Sequence, residues 1–499
     1  MKKLIIYLTT FGLLGLTGCD DYLDTIPDNR TDLNTPEKIS ELLVRAYPTA
    51  NYSAFCELMS DNVSDNFPGS PPSLIYGKPY LWEDVLQLDQ DSPQNYWAAC
   101  YASIAVANQA LESIRLLRGG PTFNPQRGEA LVARAYAHFM LVNLFAKFYD
   151  ATTAANDPGI PYVTEVEKVV IKQYDRKTVA FVYDMIEKDL LEGLPLLSDQ
   201  VYKVPAYHFT TNAANAFASR FYLYKKNYDK VIEYANKVAG TGGFALNMRN
   251  WIGNYRPKSF TEVSFIYSQA SEKSNLLLCE TGSFWGRFYA RQKYGLSGRG
   301  NGLGRTLFLG RNPSGGDWAY SLFGNDQGTY LPKYNEYFVR VTANANIGNG
   351  YNMVPLFQTE EVLFNRAEAL VYKGDGAGAL ADLNTFLSLR VGTTQADRSI
   401  VYNPAVHTLT IAKNNAFYGT TNSAGALLQT ILDFRRCEFM HEGMRWFDIL
   451  RYKLPVTHNI LSDDGITNRS TITLSPTDNR RVLQIPQEAS LSGVPQNPR

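Results

Sequence analysis

Apolar positions along this chain follow two regimes. In the stretches Gln94–Leu117, Arg127–Tyr149, Thr178–Leu191, Thr211–Lys226 and Tyr228–Val238 they recur at helical spacing. Between Gly240 and about Pro355, and again from about Val391 to Gly425, the periodicity lapses into Gly-, Asn- and Tyr-rich sequence. Arg127–Tyr149 (RGEALVARAYAHFMLVNLFAKFY) is the most apolar of the helical stretches. Leu131, Val132, Tyr136, Phe139, Met140, Leu144, Phe145 and Phe148 cover most of its circumference, while Ala130, Ala133 and Ala137 permit close approach by a neighbour. Arg134 and His138 form a narrow polar strip within it, with Arg127 and Lys147 near the ends. An arginine at the bilayer centre costs roughly 2.5–3.5 kcal/mol, so the pattern predicts a helix buried among other helices rather than a membrane span.

The remaining chain adds helices and loops around these. Thr35-Pro36-Glu37 reads as a helix start and Asp61–Pro79 as a Pro-rich loop. Glu262–Tyr267 is a β-prone run. Tyr224-Lys225-Lys226-Asn227-Tyr228 aligns without gaps on Tyr372-Lys373-Gly374-Asp375-Gly376, and both resemble the centre of a tetratricopeptide repeat. Such hairpins bury their apolar faces only by stacking. Arg127–Tyr149 with Thr178–Leu191, and Leu427–Glu442 with Met444–Tyr452, would supply two further pairs. The expected fold is therefore mainly α: a tetratricopeptide-like scaffold of about four helix pairs carrying long, loop-rich, partly β insertions.

The amino terminus changes the picture more than composition does. Lys2-Lys3, the apolar run Leu4–Leu16 and Leu16-Thr17-Gly18-Cys19 read as an export signal over residues 1–18. They resemble a bacterial lipobox, in which Cys19 is acylated and begins a tether over residues 19–35. The helical region then runs over 36–239, the insertion over 240–355 and a second helical region over 356–499. Lys+Arg and Asp+Glu are both 48, so no basic field points to nucleic acid. Cys56, Cys100, Cys279 and Cys437 are widely spaced, as buried single thiols would be; a Cys56–Cys100 bridge is conceivable.

A search for chemistry returns no catalytic motif, cofactor fingerprint or metal-ligand spacing. His441-Glu442-Gly443-Met444-Arg445 lacks the second His of a zinc helix, and Gly295-Leu296-Ser297-Gly298 is only a near miss for a nucleophile elbow. The alternating glycines at 298, 300, 302 and 304 lack the spacing and Lys of a P-loop.

Several segments in order resemble one family. They include Arg435-Arg436, Glu438, Glu442-Gly443-Met444-Arg445, Trp446, Asp448 and Arg451, and the lipobox followed by Asp20-Asp21-Tyr22-Leu23-Asp24. Trp97, Tyr101, Ile104 and Asn108, Gly159–Val163, Glu361–Ala369, Ile485–Glu488 and Gln496-Asn497-Pro498 complete the set. Together these resemble the SusD/RagB outer-membrane nutrient-binding lipoproteins. The resemblance implies a non-enzymatic protein, lipid-anchored on the cell surface, that binds an oligosaccharide and delivers it to a SusC-like TonB-dependent transporter. A peptide ligand, or less readily a surface hydrolase, are the alternatives. The charged signature is expected to pair internally, with Glu438–Arg445 and Arg445–Asp448 on shared helix faces. For a sugar ligand, aromatic platforms flanked by polar groups are expected on the insertions. The candidates are Asp65, Asn66, Tyr80 and Trp82, then Trp285, Arg287 and Tyr289, then Trp318 and Tyr320. Trp97 and Trp446 are assigned to the core.

Overall fold

The computed structural model describes residues 33–66, 72–169, 172–289, 293–298, 302–325 and 328–499. The export signal, Cys19 and Gly300 lie outside them. Helices α1 (Pro36–Leu43), α2 (Ser53–Met59) and α3 (Leu74–Tyr80) lead into the long α4 (Pro93–Leu116) and α5 (Asn124–Phe145). They are followed by α6 (Val179–Gly193), α7 (Thr211–Tyr224) and α8 (Tyr228–Ala239). The insertion carries α9 (Phe260–Tyr267), α10 (Trp285–Phe288) and α11 (Leu303–Phe308). The carboxy-terminal half adds α12 (Thr359–Tyr372), α13 (Gly376–Leu387), α14 (Pro404–His407), α15 (Ile411–Tyr418), α16 (Ser423–Glu438) and α17 (Met444–Arg451). The protein is mainly helical, with small β-sheets.

Helix α5 is the centre of the amino-terminal half: every residue from Gly128 to Phe145 is buried, with α4 on one side and α6 on the other. The α5–α6 approach is set by two glycines. A Cβ on Gly128 would meet the Gly193 carbonyl oxygen at 2.8 Å, and one on Gly193 would meet that of Gly128 at 2.9 Å. The polar residues of α5 are paired. Arg134 grips Asp189 through Nε at 2.7 Å and Nη2 at 2.8 Å, and reaches Asn108 Oδ1 at 2.8 Å. His138 lies stacked on Tyr162 at 3.8 Å, and its Nε2 accepts the Val163 N–H at 3.0 Å. Burial depresses this imidazole to about 3, so it is neutral, with Nδ1–H donating to the Arg134 carbonyl at 2.9 Å. The helix stops at Phe145, short of the expected Tyr149, because Phe148 and Tyr149 turn out to pack on Tyr224 and Tyr183 at 5.0 and 4.5 Å. No helix among the described residues is long and apolar enough to cross a membrane.

The sequence echo corresponds to two turns built alike. Lys226 and Gly374 both take left-handed φ angles, 60° and 81°. The next residue caps the second helix in each case: Asn227 Oδ1 accepts from Lys230 N at 3.3 Å, and Asp375 Oδ1 from Gly378 N at 2.8 Å. The two hairpins stack, α8 on α12, with Tyr228 and Tyr372 face to face at 4.4 Å. The fourth expected pair differs. Helix α16 packs against α12 and α15, whereas α17 turns away at Gly443 (φ 73°) to lie on α2.

The non-helical regions are also more ordered than their sequence suggests. Val391–Gly425 holds α14, α15 and two short strands, β9 (Val391–Thr394) and β10 (Ile400–Val401), rather than plain loop. Glu262–Tyr267 is helical, not β, because Ser259 and Glu262 form a reciprocal capping box at the start of α9. The Asp61–Pro79 stretch ends in α3, with Pro79 inside that helix. Within the insertion, β2 (Asn275–Gly282) pairs antiparallel with β8 (Gly348–Gln358), which in turn pairs with the edge strand β7 (Glu336–Arg340). β1 (Ser64–Asp65) pairs with β3 (Tyr294–Gly295), β4 (Asp317–Trp318) with β9, β5 (Phe323–Asn325) with β6 (Gly328–Tyr330), and β11 (Val456–Leu461) with β12 (Asn468–Leu474). Cys56, Cys100, Cys279 and Cys437 are all free and buried.

Candidate ligand-binding face

The turn between α16 and α17 is where the insertion is fastened. Lys333 Nζ reaches Glu442 Oε1 at 2.5 Å and the Glu438 carbonyl, while Tyr267 OH donates to Glu442 Oε1 at 2.6 Å. Trp285 Nε1–H donates to the His441 carbonyl at 3.0 Å, and Leu331 N–H to His441 Nε2 at 3.2 Å. Burial pushes the His441 imidazole far below its ordinary value, which keeps Nε2 an acceptor. Glu57 of α2 closes the turn from behind, accepting from the backbone N–H groups of His441 at 2.8 Å and Gly443 at 3.2 Å. Its burial raises the carboxyl to about 7 despite those donors.

Around this turn lies a closed set of buried charges. Arg390 contacts Glu438 at 2.9 Å and Glu360 at 2.8 Å, Arg249 contacts Glu360 at 3.4 Å, and Lys333 contacts Glu442. Three cations therefore meet three carboxylates, all but excluded from water. Burial alone would raise Glu438, but Arg390 beside it holds the carboxyl well below its usual range. The signature residues thus pair structurally, though not with the partners helical spacing suggests. Arg445 bonds Asp61 at 2.8 and 2.9 Å rather than Glu438 or Asp448, and Asp448 is shared by Arg435 at 3.1 Å and Arg451 at 2.7 Å.

The same fastening places the nine residues singled out in the sequence. Asp65, Asn66, Tyr80, Trp82, Trp285, Tyr289, Trp318 and Tyr320 are all at most 5% exposed, which corrects the expectation of ligand-facing platforms. Tyr294, Tyr80, His458 and Trp82 form one continuous ring stack, at successive separations of 3.8, 4.2 and 4.4 Å. The Trp82 indole donates to the Met59 carbonyl at 3.0 Å. Trp318 packs edge-on against Phe434 at 5.2 Å, and Tyr320 donates to Glu438. Tyr289 OH accepts from Lys333 N at 3.3 Å. Asp65 is held by Asn459, whose Oδ1 accepts from Asp65 N at 3.0 Å. Among the described residues the buried Asn66 carboxamide finds no hydrogen-bond partner. Arg287 alone is exposed, and it is bonded to Glu336. These aromatics rivet the insertion to the scaffold. Trp446 is fully buried; Trp97, also buried, lines a hollow of about 330 Å³ with Tyr101, Pro161 and Tyr174.

An aromatic surface does exist on the insertion, built from residues the sequence reading passed over. The β5–β6 register sets Phe323 opposite Tyr330 on one face. Gly324 (φ 106°) permits this hairpin, since a Cβ there would collide with the Gly328 carbonyl oxygen. Phe260, at the capped start of α9, meets both rings, at 5.9 Å from Phe323 and 5.6 Å from Tyr330. Phe260 is 39% exposed, while Phe323 and Tyr330 are half-buried. Tyr330 is backed edge-on by Tyr289 at 5.7 Å. The hairpin is tied to its surroundings by Thr329 N–H on the Leu296 carbonyl at 3.0 Å, and Gly304 N–H on the Ser297 carbonyl at 2.8 Å brings α11 alongside. Arg256 lies at the margin, donating at 3.4 Å to the Arg398 and Tyr320 carbonyls and to Ser321 Oγ, and among the described residues no carboxylate pairs with it. Three adjoining rings beside a cation and side-chain hydroxyls form a shallow amphipathic platform, the chemistry that stacks on a sugar ring's C–H face while bonding its hydroxyls. Among the described residues no group of His, Cys, Asp and Glu is disposed to hold a metal ion.

Two family models match the chain: "Starch-binding associating with outer membrane" over residues 21–223 and "SusD family" over residues 309–488. Among solved structures it is similar to a SusD superfamily protein from Bacteroides thetaiotaomicron VPI-5482 (20% identity, TM-score 0.65, covering 93% of this chain and 100% of that one). A putative sugar binding protein from Bacteroides vulgatus ATCC 8482 gives 20% identity and TM-score 0.67 over 94% of this chain and 99% of that one. A laminarin binding SusD-like protein gives 18% identity and TM-score 0.57 over 93% and 99%. No curated protein matches the chain.

Proposed function

The chain belongs to the SusD/RagB family, and from that membership we propose that it is a cell-surface lipoprotein which captures an oligosaccharide and hands it to a TonB-dependent outer-membrane transporter. Proteins of this family bind without catalysing, and the family description ties it to the outer membrane. In this reading Cys19 carries the acyl anchor, whose chains contribute about 0.8 kcal/mol per buried CH₂. The Phe260–Phe323–Tyr330 face is the glycan platform, and that solvent-facing ring cluster, with Arg256 at its margin, is the observation that carries the assignment. A platform open on one side binds modestly, which suits a protein that must release its ligand inward.

The test is calorimetric titration of the purified chain against a panel of β-glucans, α-glucans and host glycans, beside oligopeptides. Tyr330→Ala serves as the matched variant. Saturable binding to one glycan class, weakened by that substitution, supports the reading. Binding to oligopeptides alone would replace the sugar with a peptide and leave the transport role standing. Soluble sugar products released by the purified chain would replace the binding role with hydrolysis.

A further inference from the structure

Strand β7 is the outer edge of the β2–β8–β7 sheet, and it is unusually apolar for an edge. Tyr337, Phe338 and Val339 are 38, 41 and 49% exposed, and beyond the strand Val341 and Ile347 reach 69 and 75%. The register with β8 runs from Glu336↔Asn352 to Arg340↔Gly348, and Val341 N–H donates to the Ile347 carbonyl at 3.0 Å. In an antiparallel ladder, bonded and non-bonded pairs alternate. Residues 337 and 339 therefore spend their backbone groups on β8, as Val341 does on Ile347, and residues 336, 338 and 340 turn theirs outward.

We propose that this edge pairs with the same edge of a second copy of the chain, antiparallel, about a two-fold axis through Phe338. The sequence of the strand selects that occupant. Reading Glu336-Tyr337-Phe338-Val339-Arg340 against its own reverse sets Phe338 on Phe338 and each Glu336 opposite an Arg340. A parallel pairing would set Glu336 on Glu336 and Arg340 on Arg340, and like charges directly opposite are unfavourable. The outward N–H and C=O groups coincide with this register, giving two backbone hydrogen bonds at each of the three facing pairs. Arg287 already bonds Glu336 from α10, so Glu336 would sit between two guanidiniums, while Phe338, with Arg287 at 5.8 Å, would close the seam. A two-fold pairing is also closed, because it uses the β7 edge of each copy once.

The soluble Cys19→Ala chain is examined by sedimentation velocity from about 1 to 200 µM, a range that brackets weak self-association. The expected result is a concentration-dependent monomer–dimer equilibrium. Arg340→Glu, which opposes two carboxylates, should weaken it by at least about tenfold, and Arg340→Lys by no more than about threefold. Phe338→Cys adds a thiol on the axis, where facing Cα atoms about 5.5 Å apart suit a disulfide. The four buried native cysteines leave it the accessible one. It should form a covalent dimer under mild oxidation much faster than Ile466→Cys, although Ile466 is the more exposed position, 78% against 41%. Unchanged melting temperatures of these surface variants serve as the folding check. A monomer throughout the range, or Phe338→Cys oxidising no faster than Ile466→Cys, overturns the proposal. So does a dimer that Arg340→Glu leaves intact.

Discussion

Lys333→Met tests whether the insertion is held by the buried charge set. Lys333 has no exposed side-chain surface, and its ammonium serves Glu442 Oε1 and the Glu438 carbonyl. Methionine keeps the packing of the stem but leaves two cations facing three carboxylates. Removing one partner of a buried pair typically costs about 3–5 kcal/mol, most of it from the stranded charge. Glu442 retains Tyr267 OH and the Gln358 amide as donors, which places the expected cost toward the lower end. At about 2.1 cal/mol/K per residue, a chain of this size unfolds with an entropy of roughly 1 kcal/mol/K, so the melting temperature should drop by about 3 °C. Scanning calorimetry at neutral pH reads it directly. The double variant Lys333→Met/Glu442→Gln should recover part of the loss, because neutralising the stranded carboxylate removes the larger penalty. A single-variant shift below about 1 °C, or a double variant whose losses simply add, would refute the closed-set reasoning.

Other outcomes are as specific. Tyr330→Ala or Phe323→Ala should weaken glycan binding about three- to tenfold, the worth of one aromatic contact, with little change in melting temperature. Trp285→Ala should do the reverse: a stability loss of about 3–5 kcal/mol with affinity retained in the folded fraction. Cys19→Ala should release the protein from the membrane fraction, and fractionation that still finds it membrane-bound would contradict the anchor. Burial lifts Asp91 to about 6, although it accepts from Ser283 Oγ, Tyr76 OH and Phe284 N. Because its folded value lies above its unfolded one, its contribution is complete below about pH 4 and is lost as pH rises through about 6. Asp91→Asn should therefore flatten the dependence of melting temperature on pH across that window, and an unchanged slope would count against the assignment.

The helices were legible because their signals are local. The apolar circumference of α5 predicted its burial, and the Tyr224 and Tyr372 echo predicted two turns that share even a left-handed residue. The capping box at Ser259 and Glu262 was equally local, and outweighs the β-propensity of Val263–Tyr267. The placement of the insertion's aromatics was not legible, because what decides it is distant in sequence. Trp285 is buried because its N–H finds a carbonyl at His441, and Trp82 because His458 completes its stack. In a segment without periodicity, composition cannot tell a ring turned inward from one turned outward. The Phe323–Tyr330 hairpin did carry a signal, glycines spaced between two aromatic ends, but it names a turn and not a ligand.

The charge set also has a consequence in time. Lys333 emerges during synthesis well before Glu438 and Glu442, so the middle of the chain carries a cation it cannot yet pair. Only when the segment around His441 arrives can the insertion close upon its scaffold, with Glu57, made near the start, capping that late turn. Assembly therefore completes from both ends at once. A polypeptide halted near Gly425 would hold formed helices around α5 and an insertion that never docks.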